Sequence, residues 1–301
     1  MEHRADIRDR LAGLLDEVAH REGRHPTHID GVEVIRTSTS SMHRVPVVYQ
    51  PRILIVGRGR KRVYLGDEVY QYDPFNYLAL SVPLPAECEW EASREDPVLV
   101  VSVAVDPAML GQMLIELDEP PPPVATPPRG ISTTPMSEEL GVAACRLVEC
   151  LKCPVDSRML GRQLVREVVY RVLRGERDGA VRSLAGRDDH FSGIARVLRH
   201  VHAEYAKPLK VEELARMAGM SPTVFHHHFK VVTSSSPLQY LKRVRLDHAR
   251  RMMTHDGYNA STAARAVGYE SASQFGREFK RLFGVTPAEE AGQMRARLVA
   301  N

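Results

Sequence analysis

Cysteine, tryptophan and the aromatic residues as a group are scarce in this chain. Its 301 residues include four cysteines and one tryptophan, and phenylalanine, tyrosine and tryptophan together make up 6%. Four cysteines in a chain of this length do not build a disulfide framework. Only Cys150 and Cys153 have C-x-x-C spacing, and no second such pair is present to complete a zinc site. We therefore interpret the cysteines as ordinary thiols rather than as metal ligands or redox sensors.

Long apolar runs and a leader-like N-terminus are also missing. No stretch approaches the ~20 apolar residues that a membrane-spanning helix needs. Residues 1–10 are rich in charge and contain no apolar core, which a signal peptide requires. The sequence therefore predicts a soluble, cytoplasmic protein that does not associate with a membrane.

Charge is divided unevenly along the chain. Residues 190–301 contain 17 lysines and arginines against 9 aspartates and glutamates, whereas residues 1–189 contain 24 against 29. A basic region joined to an acidic one is typical of a nucleic-acid-binding unit attached to a unit of another kind. If the charge alone is considered, the alternative to a nucleic-acid-binding unit is a basic surface that is simply solvated.

The basic region contains two copies of one helical unit. The offset between the copies is 49 residues up to the turn and 50 residues after it. The repeated pairs are Ala215/Ala264, Gly219/Gly268, Phe229/Phe279, Lys230/Lys280 and Pro237/Pro287. A repeat of this detail indicates two structurally equivalent units.

Each copy predicts two short helices joined by a tight turn. Residues 211–218 carry apolar side chains at i, i+3, i+4 and i+7, which places one apolar stripe on a helix. Gly219 permits the positive φ that closes a helix. Ser221 and Pro222 then suit the start of the next helix. Two short helices around a glycine turn form a helix-turn-helix.

The second helix of each copy is predicted to turn polar side chains away from its apolar face. Arginine can contact a guanine edge with two hydrogen bonds, and lysine and arginine contact phosphates in a salt-dependent way. The candidates for reading bases are Thr223, His226 and His227 in the first copy and Ser273 and Arg277 in the second; the candidates for phosphate contacts are Lys230, Lys280 and Arg281. Whether both copies read bases stays open, because Gly276 interrupts the second face. The histidines at 226–228 point in three directions, so they do not form a metal site.

A longer amphipathic helix is predicted over residues 237–253, between the two copies. At ~1.5 Å per residue it spans roughly 25 Å. It could hold two recognition helices near the ~34 Å spacing of successive major grooves on one face of DNA.

Three strings in this region resemble a known family. They are GMSPTVFHHHFK at 219–230, SPLQYLKRVRL at 236–246 and GYESASQFGREFKRLFGVTP at 268–287. In this order and spacing they closely resemble the DNA-binding domain of the AraC/XylS family of bacterial transcription regulators. The resemblance implies a homodimer that binds double-stranded promoter or operator DNA, and that contacts RNA polymerase if it activates. Many members have Pro-x-x-Tyr-Arg after the last turn, whereas Glu290 and Ala291 stand here, so the final helix could pack differently.

The first part of the chain reads as one helix followed by short strands. The helix is predicted over residues 6–20, and turns separate strands at 32–36, 46–49, 52–57, 62–65, 77–82 and 98–105. Strands of this length and spacing suggest a small β-barrel or jelly roll. The strings GRKRVYLGD at 59–67, YLALSVPLP at 77–85 and ASREDPVL at 92–99 resemble the cupin-like N-terminal domain of one branch of the same family.

The predicted fold class is therefore α+β, with four segments. Residues 1–117 form a cupin-like effector-binding or dimerisation domain, and residues 118–130 form a linker with six prolines in thirteen residues. Residues 131–189 form a helical connector, with helices at 137–151 and 156–175, that could also mediate dimerisation. Residues 190–301 form an all-α DNA-binding domain with two helix-turn-helix motifs.

The cupin-like domain has two readings. Cupin enzymes hold a metal with two histidines at H-x-H spacing, a carboxylate and a later histidine, but His43 is the only histidine between residues 31 and 107. We therefore predict no catalytic residue, metal or cofactor. The domain could bind a small-molecule effector, with candidate lining residues Tyr49, Tyr64, Tyr72, Tyr77 and Trp90. Alternatively it only dimerises. The alternative to a DNA-binding regulator is a protein of another functional class, namely a cupin-type enzyme or sensor whose helical domain docks proteins.

Overall fold

Two antiparallel β-sheets packed face to face form the N-terminal part of the molecule. The computed structural model describes residues 2–41, 43–118, 129–175, 181–182, 189–254 and 256–292. The strands are β1 (Gly23–Pro26), β2 (Val32–Thr37), β3 (Val45–Tyr49), β4 (Arg52–Arg58), β5 (Arg60–Leu65), β6 (Glu68–Tyr72), β7 (Asn76–Leu80), β8 (Leu84–Glu91), β9 (Val98–Ala104) and β10 (Ile131–Pro135). The larger sheet has the order β1-β2-β9-β4-β7-β10, and the smaller has the order β3-β8-β5-β6.

The larger sheet is buried on both faces. Along β4, Leu54 and Val56 pack between the sheets, whereas Ile53 and Ile55 pack against helices on the outer face. This alternation follows from the two-residue period of a strand, and it explains why β4 and β9 are almost continuously apolar. The prediction of a jelly-roll-like β domain is confirmed in the form of a two-sheet sandwich rather than a closed barrel.

Four strands were not predicted, namely β1, β6, β8 and β10. Strand β8 contains Glu87, Glu89 and Glu91, and it begins next to Pro85, so its composition does not resemble that of a strand. Its inward residues nevertheless alternate with these glutamates, and Cys88 is buried between the sheets. Strands β1, β6 and β10 lie at sheet edges, where one side of the strand has no hydrogen-bonding neighbour and polar sequences are tolerated.

Helices cover the outer face of the larger sheet. They are α1 (Glu2–Val18), α2 (Pro107–Leu117), α3 (Glu138–Cys150) and α4 (Pro154–Gly175). Ser137 caps α3 by accepting a hydrogen bond from the backbone N–H of Leu140 at 3.2 Å. The apolar faces of α1, α3 and α4 share one cluster with the sheet.

Residues 131–175 take part in this packing. The sequence predicts them as a helical connector, but β10 pairs with β7 in the larger sheet, and α3 and α4 pack together with α1. Most of their apolar side chains are thus buried within the same N-terminal unit, whereas those at the start of α4 stay exposed. Most of the predicted proline-rich linker, residues 119–128, lies outside the described residues.

Six helices follow in the described C-terminal part. They are α5 (Asp189–Glu204), α6 (Val211–Ala218), α7 (Pro222–Thr233), α8 (Pro237–Thr254), α9 (Ala260–Ala266) and α10 (Ala272–Phe283), followed by a helical segment at 287–292. Gly219 and Gly268 have φ of 74° and 85°, so the two turns form as predicted. Glu290 accepts a 2.6 Å bond from Arg250 on α8, and this pair holds the last helical segment in place.

None of the helices in the described ranges combines the length with the apolar composition that a bilayer crossing requires.

Candidate nucleic-acid interface

The two predicted recognition helices, α7 and α10, are built alike. Each is twelve residues long, and every residue of α10 is fifty positions after its counterpart in α7. Ser221 and Ser271 cap them by accepting hydrogen bonds from the backbone N–H groups of Val224 at 3.4 Å and Gln274 at 3.3 Å. The internal repeat is therefore a repeat of structure, including its caps.

Paired phenylalanines anchor one face of each helix. Phe225 and Phe229 lie 5.4 Å apart between ring centroids in α7, and Phe275 and Phe279 lie 5.5 Å apart in α10. All four are buried. Phe229 also packs edge-on against Tyr240 of α8, with 5.4 Å between ring centroids. Aromatic anchors in this arrangement fix the rotation of each helix about its axis.

The opposite faces of α7 and α10 are exposed and positively charged. The structure exposes all eight predicted DNA-contacting residues: Thr223, His226, His227 and Lys230 on α7, and Ser273, Arg277, Lys280 and Arg281 on α10. Within the described parts of the chain, no hydrogen bond or ion pair engages the charged groups of Lys230, Arg277, Lys280 and Arg281. These groups are thus available to an external anion.

Arg245 on α8 ties the connection between α5 and α6, just before the first helix-turn-helix unit, to the turn of the second unit. Its guanidinium donates hydrogen bonds to the backbone carbonyls of Tyr205 at 2.7 Å and Lys207 at 2.9 Å, just after α5, and of Gly268 at 3.1 Å, in the turn before α10. Three bonds from one planar group leave little freedom between the units. The relative placement of α7 and α10 is therefore set within the chain.

Glu278 fastens α10 to α8 from the other side. Its carboxylate accepts hydrogen bonds from Lys242 at 2.8 Å and Tyr269 at 2.7 Å, and from Gln274 at 3.2 Å. Burial alone would raise the pKa of Glu278, but these hydrogen bonds outweigh it and hold the pKa below its usual value. The carboxylate therefore stays charged and keeps its partners.

A buried polar link connects the DNA-binding unit to the sandwich. The Tyr240 hydroxyl donates to the carbonyl oxygen of Pro83 at 2.6 Å, between β7 and β8, and lies 2.9 Å from Nε2 of His202. Because the hydroxyl proton is used by the carbonyl, Nε2 of His202 must carry the proton of the second bond. Burial lowers the pKa of His202 to about 4, so the ring is neutral at physiological pH.

Replacing Tyr240 by phenylalanine should weaken the junction between the two units. The change leaves the Pro83 carbonyl and the His202 N–H buried without partners, which costs about 1–3 kcal/mol. We expect the Tm of the full chain to fall by about 2–4 °C for each kcal/mol. Tyr205→Phe is the matched control, because that ring keeps its stacking on His248 at 3.8 Å. Equal melting of both variants would contradict a role for the Tyr240 hydroxyl.

The five aromatic side chains predicted to line an effector pocket lie in three different places. Tyr49 and Tyr72 are buried between the two sheets, and Trp90 packs at the edge of their cluster. Tyr77 lies on the opposite face of the larger sheet, against the helices. Tyr64 projects outward from the smaller sheet and hydrogen-bonds on the surface. The structure therefore brings three of the five together, because neighbouring residues of a strand point to opposite faces.

Trp90 is partly buried at the edge of the apolar cluster between the sheets. Its indole N–H donates to the carbonyl oxygen of Thr39 at 2.9 Å, and Nζ of Lys61 lies 4.8 Å from its ring centroid. Burial lowers the pKa of Lys61 and raises the pKa values of Tyr49 and Tyr72. The phenols are therefore neutral, and Lys61 is a basic group of this region, with Arg24 close enough to lower the pKa of Lys61 further and to oppose the rise in the pKa of Tyr72.

The described residues contain no group of three or more histidine, cysteine, aspartate or glutamate side chains placed to hold a metal ion. Cys88, Cys145 and Cys150 are buried thiols, and burial raises the pKa values of Cys145 and Cys150. The surroundings of Cys145 and Cys150 thus disfavour the reactive thiolate form.

Sequence reasoning missed the residues that hold the recognition helices in place. Arg245, Glu278 and Tyr240 lie inside the strings that carried the family resemblance, but helical periodicity treats an arginine or a glutamate as a surface residue. The second arginine of the string LKRVR was the available signal, since it falls four residues before Ala249, on the buried side of α8.

Comparisons with known proteins agree with this architecture. A family model described as "AraC-type transcriptional regulator N-terminus" matches residues 28–180, and a "Helix-turn-helix domain" model matches residues 214–292. A putative AraC-like transcription regulator of Streptomyces lividans is 28% identical over 203 residues, which are 66% of this chain and 64% of that protein. The chain thus spans somewhat less than two thirds of that relative. The activator RclR of Escherichia coli is 38% identical over 85 residues, which are 28% of this chain and 30% of RclR.

Solved structures show the same fold at low identity. A ligand-free single-site variant of ToxT from Vibrio cholerae has a TM-score of 0.58 and 10% identity, covering 91% of this chain and 100% of that one. ToxT with a bound unsaturated fatty acid has the same TM-score and identity, covering 86% of this chain and 94% of that one. With a family model that matches more than half of its residues, followed by a helix-turn-helix domain, the chain belongs to the AraC family of transcription regulators.

Proposed function

We propose that this chain is a sequence-specific regulator of transcription that places α7 and α10 in successive major grooves of one DNA duplex. The observation that carries the proposal is the pair of matched helices, each with an exposed polar face, joined rigidly through α8 and Arg245. The cationic groups of α7 and α10, which have no hydrogen-bond or ion-pair partner among the described residues, supply phosphate contacts, and helix N-termini add to them. Such a protein acts in the cytoplasm, where bacterial promoters and RNA polymerase are located, and its role requires no catalysis.

Selection of bound fragments from a random DNA pool tests this function. We expect the full chain to enrich one site with two short conserved segments about one helical turn apart. Affinity for that site should fall steeply as salt is raised from about 50 to about 200 mM, because phosphate contacts release counterions. Failure to enrich any sequence at physiological salt would overturn the proposal.

The N-terminal unit, residues 1–175, is proposed to sense a small molecule between the two sheets. Tyr49 and Tyr72 lie within the apolar cluster between the sheets, and Trp90, with Lys61 against its ring, lies at the edge of that cluster. An aromatic ring beside a lysine suits a ligand with an apolar body and an anionic group. The fatty acid bound to ToxT, whose fold this chain shares, is a ligand of this kind.

Binding at this place should be visible in the fluorescence of Trp90, the only tryptophan of the chain. We expect a carboxylate ligand that raises the Tm to change this fluorescence over the same concentration range. At a hundredfold excess over its Kd, such a ligand adds about 2.7 kcal/mol of stability. Lys61→Gln should weaken the effect, whereas Lys152→Gln, on the far side of the larger sheet, should not. A stabilising ligand that leaves Trp90 fluorescence unchanged would place the pocket elsewhere.

A homodimer is proposed to form through the exposed apolar side chains of α2 and α4. Val155, Met159 and Leu160 on α4 are 55%, 69% and 51% exposed, and Ile115 on α2 is 80% exposed. Large apolar side chains exposed on neighbouring helices are typical of an interaction surface. The occupant we favour is a second copy of the chain, because isologous pairing is the commonest assembly of soluble proteins.

Met159→Glu should disrupt this dimer, because it replaces the most exposed large apolar side chain of α4 with a charge. We expect sedimentation velocity to show at least about a tenfold weaker dimer, as for the loss of a central interface residue. Val69→Glu is the control, because Val69 is 55% exposed on strand β6, away from α2 and α4. Dimerisation that survives Met159→Glu, or that is lost equally in the control, would exclude this surface.

A further inference from the structure

The equivalence of α7 and α10 allows each exposed position of one helix to be compared with its counterpart in the other. At an offset of fifty residues, Thr223 corresponds to Ser273, and Lys230 corresponds to Lys280. The outward faces thus begin with a hydroxyl and end with a lysine in both copies. The two helices have the same length and the same type of cap. Differences at the exposed positions between the hydroxyl and the lysine therefore cannot be attributed to helix length or capping.

In side-chain size, the two helices differ most at the position of His226, where α10 has Gly276. Gly276 is helical, and a methyl group built on it would meet no atom within 4 Å. Neither a positive φ nor close packing against any described residue therefore requires glycine here. Since glycine in the middle of a helix is less stable than alanine, the position is suboptimal for the fold of α10.

The position of Gly276 on the helix suggests what its missing side chain leaves room for. At about 100° per residue, it lies about 60° round the helix from Ser273 and about 100° from Arg277, on the flank of the exposed face. Side chains at the centre of such a face meet the floor of the major groove, whereas those at its flank meet the sugar–phosphate wall.

We propose that Gly276 is a specificity-determining position, at which the absence of a side chain lets α10 lie closer to the DNA backbone than α7 does. This inference rests on the proposed DNA-reading function. In α10 the closer approach brings Arg277 to a guanine edge, whereas in α7 the flanking His226 keeps the helix further from the sugar–phosphate backbone and leaves its neighbour His227 to read the segment. The two segments of the site are consequently unequal, and the chain binds DNA in one orientation.

A pair of glycine-to-alanine substitutions tests the proposal. Gly13 on α1 is the matched control, because it also lies within a helix and a methyl group there would meet no atom within 4 Å. Both variants should keep or raise the Tm, by up to about 2–4 °C. Only Gly276→Ala should weaken binding to the site selected by the parent chain, by about fivefold to tenfold, with little change on scrambled DNA. Gly276→Gln should weaken it further.

The outcomes separate the inference from the function on which it rests. If the parent chain selects a site and Gly276→Ala binds that site as tightly as the parent, the inference is overturned while the function stands. Equal weakening by Gly13→Ala would overturn it as well, since the effect would then not arise at the DNA. A parent chain that selects no DNA would instead remove the proposed function itself.

Discussion

Gly268→Ala is expected to destabilise the second helix-turn-helix severely, whereas Gly219→Ala in the first should be tolerated. Both glycines have positive φ, which costs an alanine about 1–2 kcal/mol. A methyl group at Gly219 would meet no atom within 4 Å, but at Gly268 it would overlap the carbonyl group of Ala206 and crowd Arg245. Overpacking of this kind adds about 1–3 kcal/mol, so the total for Gly268→Ala is about 2–5 kcal/mol.

Amide hydrogen exchange on the full chain would show where this loss occurs. We expect faster exchange across α9 and α10 in Gly268→Ala, with α6 and α7 protected as in the parent, and a parallel loss of DNA binding. The second unit has an apolar cluster of its own, so it can open without the sandwich. Similar exchange in the two alanine variants would mean that the contact with Ala206 does not matter.

Arg277→Ala should remove much of the sequence discrimination of the chain. An exposed arginine on a recognition helix can bind O6 and N7 of one guanine, and losing such a contact costs about 1–3 kcal/mol. We expect affinity for the selected site to fall by that amount and the preference at one base pair to disappear. Affinity for scrambled DNA should change little.

Lys280→Ala provides the comparison for Arg277→Ala. Lys280 lies one turn further along the same exposed face, where a phosphate contact is expected, so its loss should weaken binding to all sequences and reduce the salt dependence. Competition binding at two salt concentrations distinguishes these patterns. If Arg277→Ala weakens selected and scrambled DNA equally, Arg277 contacts phosphate rather than a base.

The helix-turn-helix pair could be predicted from the sequence because every level of information agreed. The apolar spacing at 211–218, the turn glycine Gly219 and the cap Ser221 each specify local structure, and the repeat extended this interpretation to the second copy. The exposed candidates followed directly, because the buried phenylalanines fix the rotation of each helix. Their roles at the DNA remain predictions.

The N-terminal unit was less predictable because its strands depend on neighbours distant in the sequence. Strand β10 pairs with β7 across a long stretch of intervening chain, and β8 has glutamates on its outer side. No local pattern marks such pairing. The prediction of pocket residues was incomplete for the same reason. The faces on which Tyr64 and Tyr77 lie follow only from the strand register, whereas Tyr49 and Tyr72 do lie together between the sheets.

The three carbonyls held by Arg245 also have a consequence for promoters. One added base pair between two binding segments turns the second by about 35° and moves it by about 3.4 Å. A protein with a pliable joint could follow such a shift, but a guanidinium bonded to Tyr205, Lys207 and Gly268 does not stretch. Insertions and deletions between the two segments would therefore be more damaging than many base substitutions within them, and genes under this regulator would share one fixed spacing.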